Sequence, residues 1–198
     1  MILRTTYKSP VGIMTLASNG KELIGLWIED QKYHGTTLYE NMVKNDNLPI
    51  FEQTKKWLDT YFEGKKPDFN ELPLAPIGGE FRQSIWKILC EIPYGKVVTY
   101  GDIAKKIAKQ MGKKSMSSQA VGGAVGHNPI GIIIPCHRVV GSNGSLTGYA
   151  GGIDIKIKLL ELEEANMTGL FVPKKGTALY KQTTIKSEGR DNFEYQSL

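Results

Sequence analysis

The sequence predicts an α+β chain: a small N-terminal sheet with helices, followed by a mainly helical C-terminal half. Three observations carry this reading. Residues 2–29 read as antiparallel strands joined at Ser18-Asn19-Gly20, a hairpin signal. Downstream, apolar residues recur at helical spacing in segment after segment. Between the two lies a cluster of chain breakers, Pro67, Pro73, Pro76, Gly78 and Gly79. The expected organisation is an N-terminal α/β domain over 1–72, a linker over 73–78, a second domain over 79–175 and a disordered tail over 176–198.

Each element has a local reason. Asn-Gly accepts the positive φ angles of a type I′ turn. After it, Ile24, Leu26 and Ile28 alternate with Leu23, Gly25 and Trp27, as in a strand buried on at least one face. Residues 30–47 are polar and read as a connection with room for a short helix. Ile50, Phe51, Trp57, Leu58, Tyr61 and Phe62 then fall at helical spacing, and Gly64 is a natural stop. A second helix runs from Glu80 to Leu89, with Phe81, Ile85, Trp86 and Leu89 on one face and Cys90 as a small core residue behind them. Ile92-Pro93-Tyr94-Gly95 ends it.

Thr99 and Asp102 match a capping box and open a third helix, with Ile103, Ala104, Ile107, Ala108 and Met111 as its stripe. A basic loop with Lys113 and Lys114 leads to a fourth helix, capped by Ser117 or Ser118 and running through Val125. The pair reads as a helix-turn-helix. Ala120, Gly122, Gly123 and Ala124 make the fourth helix unusual, because each interior Gly costs about 1 kcal/mol relative to Ala. Either a neighbouring element packs closely there, or the helix approaches a nucleic-acid groove. A last helix spans Asp154 to Ala165 with Ile157, Leu159 and Leu160 inward. Beyond it the chain turns polar, and from about Tyr180 it reads as disordered.

Composition narrows the function classes. The net charge is +5 and the pI about 9.0, a modest pointer to a polyanionic partner. The cysteines are Cys90 and Cys136, with no Cys-x-x-Cys pattern, which argues against a disulfide scaffold and a structural zinc site. Residues 1–20 lack a signal-peptide core and no apolar run approaches membrane length. The expected compartment is the reducing cytoplasm, where a free thiol persists.

The chemistry centres on Ile132-Ile133-Ile134-Pro135-Cys136-His137-Arg138-Val139-Val140. The β-branched run predicts a buried strand that must end or kink at Pro135. Cys136 then sits at the end of a rigid element, and His137 supplies a base beside the sulfur. Adjacent residues on a straight strand point apart, so the pairing needs a bend or a bridging water. A buried structural thiol is the plainer interpretation of a Cys-His step. The flanking Gln119–Pro129 and Gly144–Gly152 segments argue against it here.

With these segments in view, the chain resembles the O6-alkylguanine-DNA alkyltransferases, or methylated-DNA–protein-cysteine methyltransferases. The resemblance rests on Pro135-Cys136-His137-Arg138-Val139-Val140, Ala120-Val121-Gly122-Gly123-Ala124, Asn128-Pro129 and Gly148-Tyr149-Ala150-Gly151-Gly152. Phe81-Arg82-Gln83-Ser84-Ile85-Trp86 and Tyr94-Gly95-Lys96-Val97-Val98-Thr99-Tyr100-Gly101 match as well, so that order and spacing agree over about residues 79–165. Residues 1–66 match only as strands followed by a helix.

The resemblance implies a ribonuclease H-like N-terminal domain and a winged helix-turn-helix C-terminal domain. It implies a monomer that flips an alkylated base from duplex DNA. The alkyl group of O6-methylguanine, and of O4-methylthymine, passes irreversibly to Cys136 in a single turnover without a cofactor. In the roles it implies, His137 takes the thiol proton through water and Glu163 supports the imidazolium. Tyr149 serves the leaving oxygen and Asn128 braces the hinge. The carbonyls of Cys136 and Val139 accept from the guanine amine, Val139 and Ala150 line the pocket, and Arg138 is a structural pairing residue. Tyr100 crowds the target phosphate, and Ala120, Gly123, Lys113 and Lys114 face DNA. Gln119 stands where the family has its intercalating Arg. The N-terminal part has no Cys, so no metal is expected.

Two other classes compete. A helix-turn-helix regulator explains the charge but needs no Cys, and Ala and Gly read bases poorly. A Cys-His-Glu hydrolase would turn over and need an oxyanion hole.

Overall fold

The computed structural model describes residues 1–29, 31 and 41–173. The expected tail and most of the polar connection after residue 29 lie outside the described residues. The N-terminal sheet is four-stranded, in the order β3-β2-β1-β4. β1 (Ile2–Ser9), β2 (Gly12–Ser18) and β3 (Leu23–Ile28) pair antiparallel, and β4 (Met42–Lys44) lies parallel to β1. The β2–β3 connection differs from the expected type I′ turn. Gly20 has φ +104°, but Asn19 keeps a negative φ, and a bulge falls at Ala17/Ser18. The Asn19 side chain accepts from the amides of Lys21 and Glu22 and builds a four-residue loop instead.

β3 is buried along its whole length. Leu23, Leu26 and Ile28 join the main core, while Ile24 and Trp27 pack with Ala17. Its outer edge is covered by two segments from elsewhere. The Leu23 amide donates to Pro73 O and the Ala75 amide to Leu23 O, so residues 73–75 are pinned to the sheet. The Leu26 amide donates to Pro129 O and the Gly131 amide to Leu26 O. This second contact ties the approach to Cys136 onto the N-terminal half.

α1 (Pro49–Phe62) starts at a proline and buries Ile50, Phe51, Trp57, Leu58, Tyr61 and Phe62. α2 (Glu80–Cys90) buries Ile85, Trp86, Ile88 and Leu89. Cys90 is half-buried and lines a cavity of about 200 Å³ with Trp57, Tyr94 and Pro135. α3 (Tyr100–Gln110) opens with the expected Thr99–Asp102 capping box. Met111, assigned to its apolar stripe, falls past the last turn and is 44% exposed. α4 (Ser118–Gly126) is capped by Ser117 and packs on α2 and α3, with Trp86 Nε1 donating to Ala124 O at 3.0 Å. β5 (Val98–Thr99) pairs in parallel with β6 (Val139–Val140).

The apolar run before Cys136 is buried but is not a strand. Ile130 makes a single bridge to Leu26, then the chain coils: Ile133 N donates to Gly131 O and Ile134 N to Ile130 O. Ile132 sits at φ +67°, a rare conformation for a β-branched residue. Burial of its side chain in the main core compensates that strain. α5 (Ile153–Leu162) ends before the predicted Ala165. Ala165 N donates to Leu160 O and Glu164 N to Glu161 O, with Glu164 at φ +52°, a left-handed helix stop. No helix among the described residues is long and apolar enough to cross a membrane.

Candidate active site

Cys136, His137 and Arg138 form one turn of 3-10 helix directly after Pro135. The turn supplies the bend that places neighbouring side chains in a shared environment. Cys136 is half-buried, and Asn128 Nδ2 lies 3.2 Å from its Sγ. The same Nδ2 donates to Ile134 O at 2.7 Å, and Asn128 Oδ1 accepts from the Ile130 amide. One amide side chain thus holds both sides of the coil that leads to the thiol.

His137 is fully buried. Its Nε2 is 2.7 Å from Glu163 Oε1. Glu163 lies at the C-cap of α5 and is also buried. Its Oε1 accepts from Arg138 Nη2 at 2.9 Å and from the Tyr61 hydroxyl at 2.7 Å. Its Oε2 accepts from Arg138 Nε at 2.8 Å and from the Gly95 amide at 3.1 Å. Gly95 has φ +70°, and a Cβ there would lie 2.5 Å from Glu163 O, so only glycine allows this approach. Arg138 spends its remaining Nη1 on Ile92 O at 2.6 Å, which makes it the structural pairing residue expected from the sequence.

Protonation follows from this packing. Burial alone would raise the Glu163 carboxyl, but the hydrogen bonds from His137 and Arg138 and the Arg138 charge outweigh it and hold it far below the usual range. Burial pushes the His137 imidazole down, against the pull of Glu163. Burial also pushes the Cys136 thiol up, against the Asn128 hydrogen bond and the Lys156 charge. The resting pair is therefore a neutral thiol and a neutral imidazole. A carboxylate on Nε2 requires the proton there, so Nδ1 carries the lone pair. Nδ1 is buried and has no hydrogen-bond partner among the described residues.

Tyr149 stands edge-on to His137, with ring centroids 6.5 Å apart. Burial, then the charges of Cys136 and Glu163, push its hydroxyl well above the usual range, so it stays a donor. Tyr100 donates to Thr147 O at 3.3 Å, and burial pushes it to about 12. Its ring passes beside Gly122, and a Cβ at Gly148 would meet its hydroxyl at 2.5 Å. Val139 is buried and Ala150 half-buried near this loop. Gln119, Ala120 and Gly123 are exposed on α4, and Lys113 and Lys114 are exposed on the loop before it.

Sequence reasoning missed two contributors. Lys156 has no exposed surface, and its Nζ donates to Val139 O at 2.5 Å and Thr147 O at 2.9 Å. Burial pushes it down to about 8, while the nearby Cys136 pulls it up. Its position, three residues after Ile153 and four before Leu160 on the inward stripe, was the available signal. Tyr61 was assigned to the core, which its burial supports, but its hydroxyl reaches Glu163. Cys90 is a different case, since burial lifts its thiol to about 11.

The chain is similar to known proteins over most of its length. The family profile for the DNA binding domain of 6-O-methylguanine DNA methyltransferase matches residues 80–165, and that for its ribonuclease-like domain matches residues 2–76. A methylated-DNA–protein-cysteine methyltransferase of Haemophilus influenzae is 41% identical over 160 residues, 81% of this chain and 85% of that protein. One of Methanosarcina mazei is 44% identical, over 81% of this chain and 96% of its own. Among solved structures, the Mycobacterium tuberculosis O6-methylguanine methyltransferase superposes with a TM-score of 0.69 at 40% identity, covering 83% of this chain and 93% of its own. A structure of the Mycobacterium tuberculosis OGT in complex with DNA gives the same TM-score at 39% identity, over 82% and 92% of the two chains. The chain belongs to the 6-O-methylguanine DNA methyltransferase family.

Proposed function

We propose that this protein repairs O6-alkylated guanine in double-stranded DNA by moving the alkyl group onto Cys136, with O4-methylthymine as a second lesion. The observation that carries the reading is the half-buried Cys136 thiol on the same turn as His137, whose Nε2 is held by the buried Glu163 and whose Nδ1 is left to accept. The thiol proton passes to Nδ1, directly or through a water molecule, and Glu163 stabilises the imidazolium. The thiolate attacks the alkyl carbon, the S–C bond forms and the C–O bond breaks. The electron pair leaves on the guanine oxygen, where a Tyr149 hydrogen bond offsets the developing charge. The proton held by His137 returns to the purine. The product thioether has no base-accessible proton and no leaving group, so each molecule acts once.

Access requires the target base to leave the stack, at a cost of a few kcal/mol. The exposed Gln119, Ala120 and Gly123 of α4 form the face that meets the groove, with Tyr100 against the target phosphate and Lys113 and Lys114 beside the backbone. Gln119 fills the vacated space in place of an Arg. Val139 and Ala150 wall the pocket, and Asn128 keeps the Cys136 turn in register. The thiol acceptor must stay reduced, which suits the cytoplasm.

Intact mass after incubation with duplex DNA containing O6-methylguanine tests this. One methyl group should appear on Cys136, with stoichiometric loss from the DNA. Cys136→Ser should abolish the transfer and leave DNA affinity within about twofold, since the thiol is absent from the proposed groove contacts. Transfer by the serine variant, or repeated turnover by the wild type, would refute the reading.

A further inference from the structure

Among the described residues, the N-terminal half places a hydroxyl on the reactive cluster. Tyr61 projects from α1, is 1% exposed and places its hydroxyl 2.7 Å from Glu163 Oε1. The residues are separated by 102 positions in the chain. Its ring is held on several sides: Trp57 stacks on it at 5.6 Å, and Phe62 and Tyr94 meet it edge-on at 5.3 and 6.1 Å. A ring so confined has no freedom to aim its hydroxyl elsewhere. Oε1 is the same oxygen that faces His137 Nε2.

We infer that Tyr61 is a positioning residue of the alkyl-transfer reaction, through which the N-terminal half sets the strength of the Glu163–His137 pair. The inference rests on the alkyltransferase reading above. The physical argument is competition for one oxygen. Arg138 already grips both carboxylate oxygens and fixes the carboxylate plane. The tyrosine donates along a further direction and draws negative charge from Oε1. Less charge then remains for the imidazole, so the proton taken from Cys136 is held less tightly and is returned more readily. Burial first, then the charge and hydrogen bond of Glu163, push the Tyr61 hydroxyl well above the usual range, so it stays a neutral donor at every working pH. The charged and titratable groups around the pair are Arg138 on the turn, Tyr94 on the loop after α2, Lys156 on α5, and Cys136 and Tyr149 near the imidazole.

Tyr61→Phe deletes that one oxygen and keeps the ring. Glu163 then holds the His137 proton more strongly, so the acid limb of the pH–rate profile for alkylation should move to higher pH. The rate on that acid limb should fall several-fold, and the nitrogen chemical shifts of the His137 ring should show the same upward titration. Tyr7→Phe is the control: its hydroxyl bonds Asp59, also on α1, at 2.7 Å, and its loss should leave profile and rate unchanged. Replacing Tyr61 with 3-fluorotyrosine makes a stronger donor of nearly the same shape, so the limb should move to lower pH. This second variant keeps the test open if the phenylalanine protein does not fold. A structural role alone would lower the melting temperature and leave the limb in place, and that result overturns the inference. A wild-type protein that never methylates Cys136 would instead sink the alkyltransferase reading itself.

Discussion

Along α4 the solvent-facing residues are small or flexible: Ser118, Gln119, Ala120 and Gly123 are all exposed. In the 136–138 turn, His137 and Arg138 are buried, and only His137 Nδ1 lacks a partner among the buried side-chain polar atoms described. The first region is shaped by what must come close to it, the second by what must not move. The bare face of α4 stabilises nothing that its loss would expose. The turn is over-determined, since Glu163 alone gathers donors from α1, the loop before β5 and the turn itself. Substitutions on α4 should therefore change reaction with DNA and leave the fold alone. Substitutions in the turn should change both.

The largest effect is expected for Glu163→Gln. The amide cannot balance the Arg138 charge and offers the wrong group to His137. Breaking a buried pair from one side costs about 3–5 kcal/mol, so the melting temperature should drop by roughly 10 °C. Alkylation should slow by up to about ten-thousandfold, as when the carboxylate behind a catalytic imidazole is amidated. The acid side of the stability curve should change too. Glu163 is depressed in the fold, so its contribution is complete above its unfolded value near ~4.3 and is lost as pH falls through the folded value. The variant should show a shallower loss of melting temperature below about pH 4. An unchanged acid slope would mean that the pair is not what holds this region.

Lys156→Met should separate the two properties that Glu163 couples. The lysine charge lowers the Cys136 thiol, so its removal should move thiol titration upward. A higher thiol titration leaves less thiolate at pH 7, so the alkylation rate there should fall. Stability should change by less than for Glu163→Gln, because methionine removes a costly buried charge while leaving Val139 O and Thr147 O without this donor. Thiol titration followed by ultraviolet absorbance checks the shift. A rate loss with no change in thiol titration would make Lys156 a packing residue only.

The smallest effects belong to the exposed region. Gln119→Ala should slow reaction with duplex DNA several-fold, leave reaction with the free O6-alkylguanine base unchanged and leave the folding stability within about 0.5 kcal/mol of wild type. Gln119→Arg should react with duplex at least as fast, because guanidinium stacks and adds charge. In Lys113→Ala/Lys114→Ala, each lost phosphate contact should reduce the log–log salt slope of binding by about 0.9. Equal loss on free base and duplex for Gln119→Ala would place that residue in the pocket and erase the contrast between the two regions.

What the sequence determined by itself is what local physics determines. α1 and α2 follow from apolar spacing, and α3 from a capping box whose donors and acceptors lie within three residues. The bare face of α4 and the Cys136-His137 step are visible as residue types at fixed offsets. Only the tertiary structure decided how the apolar run before Cys136 folds. Hydrophobicity predicts that Ile132, Ile133 and Ile134 are buried, and they are, but not whether their amides join a ladder. Of this segment only Pro129 and Gly131 bond to the edge of β3, and Ile133 and Ile134 coil back on Gly131 and Ile130. The same holds for Glu163, Lys156 and Tyr61. A charged or hydroxyl side chain on a helix reads as solvated or as simple core until long-range packing brings its partners. Those partners come from segments as far as 102 residues away, and periodicity carries no information at that distance.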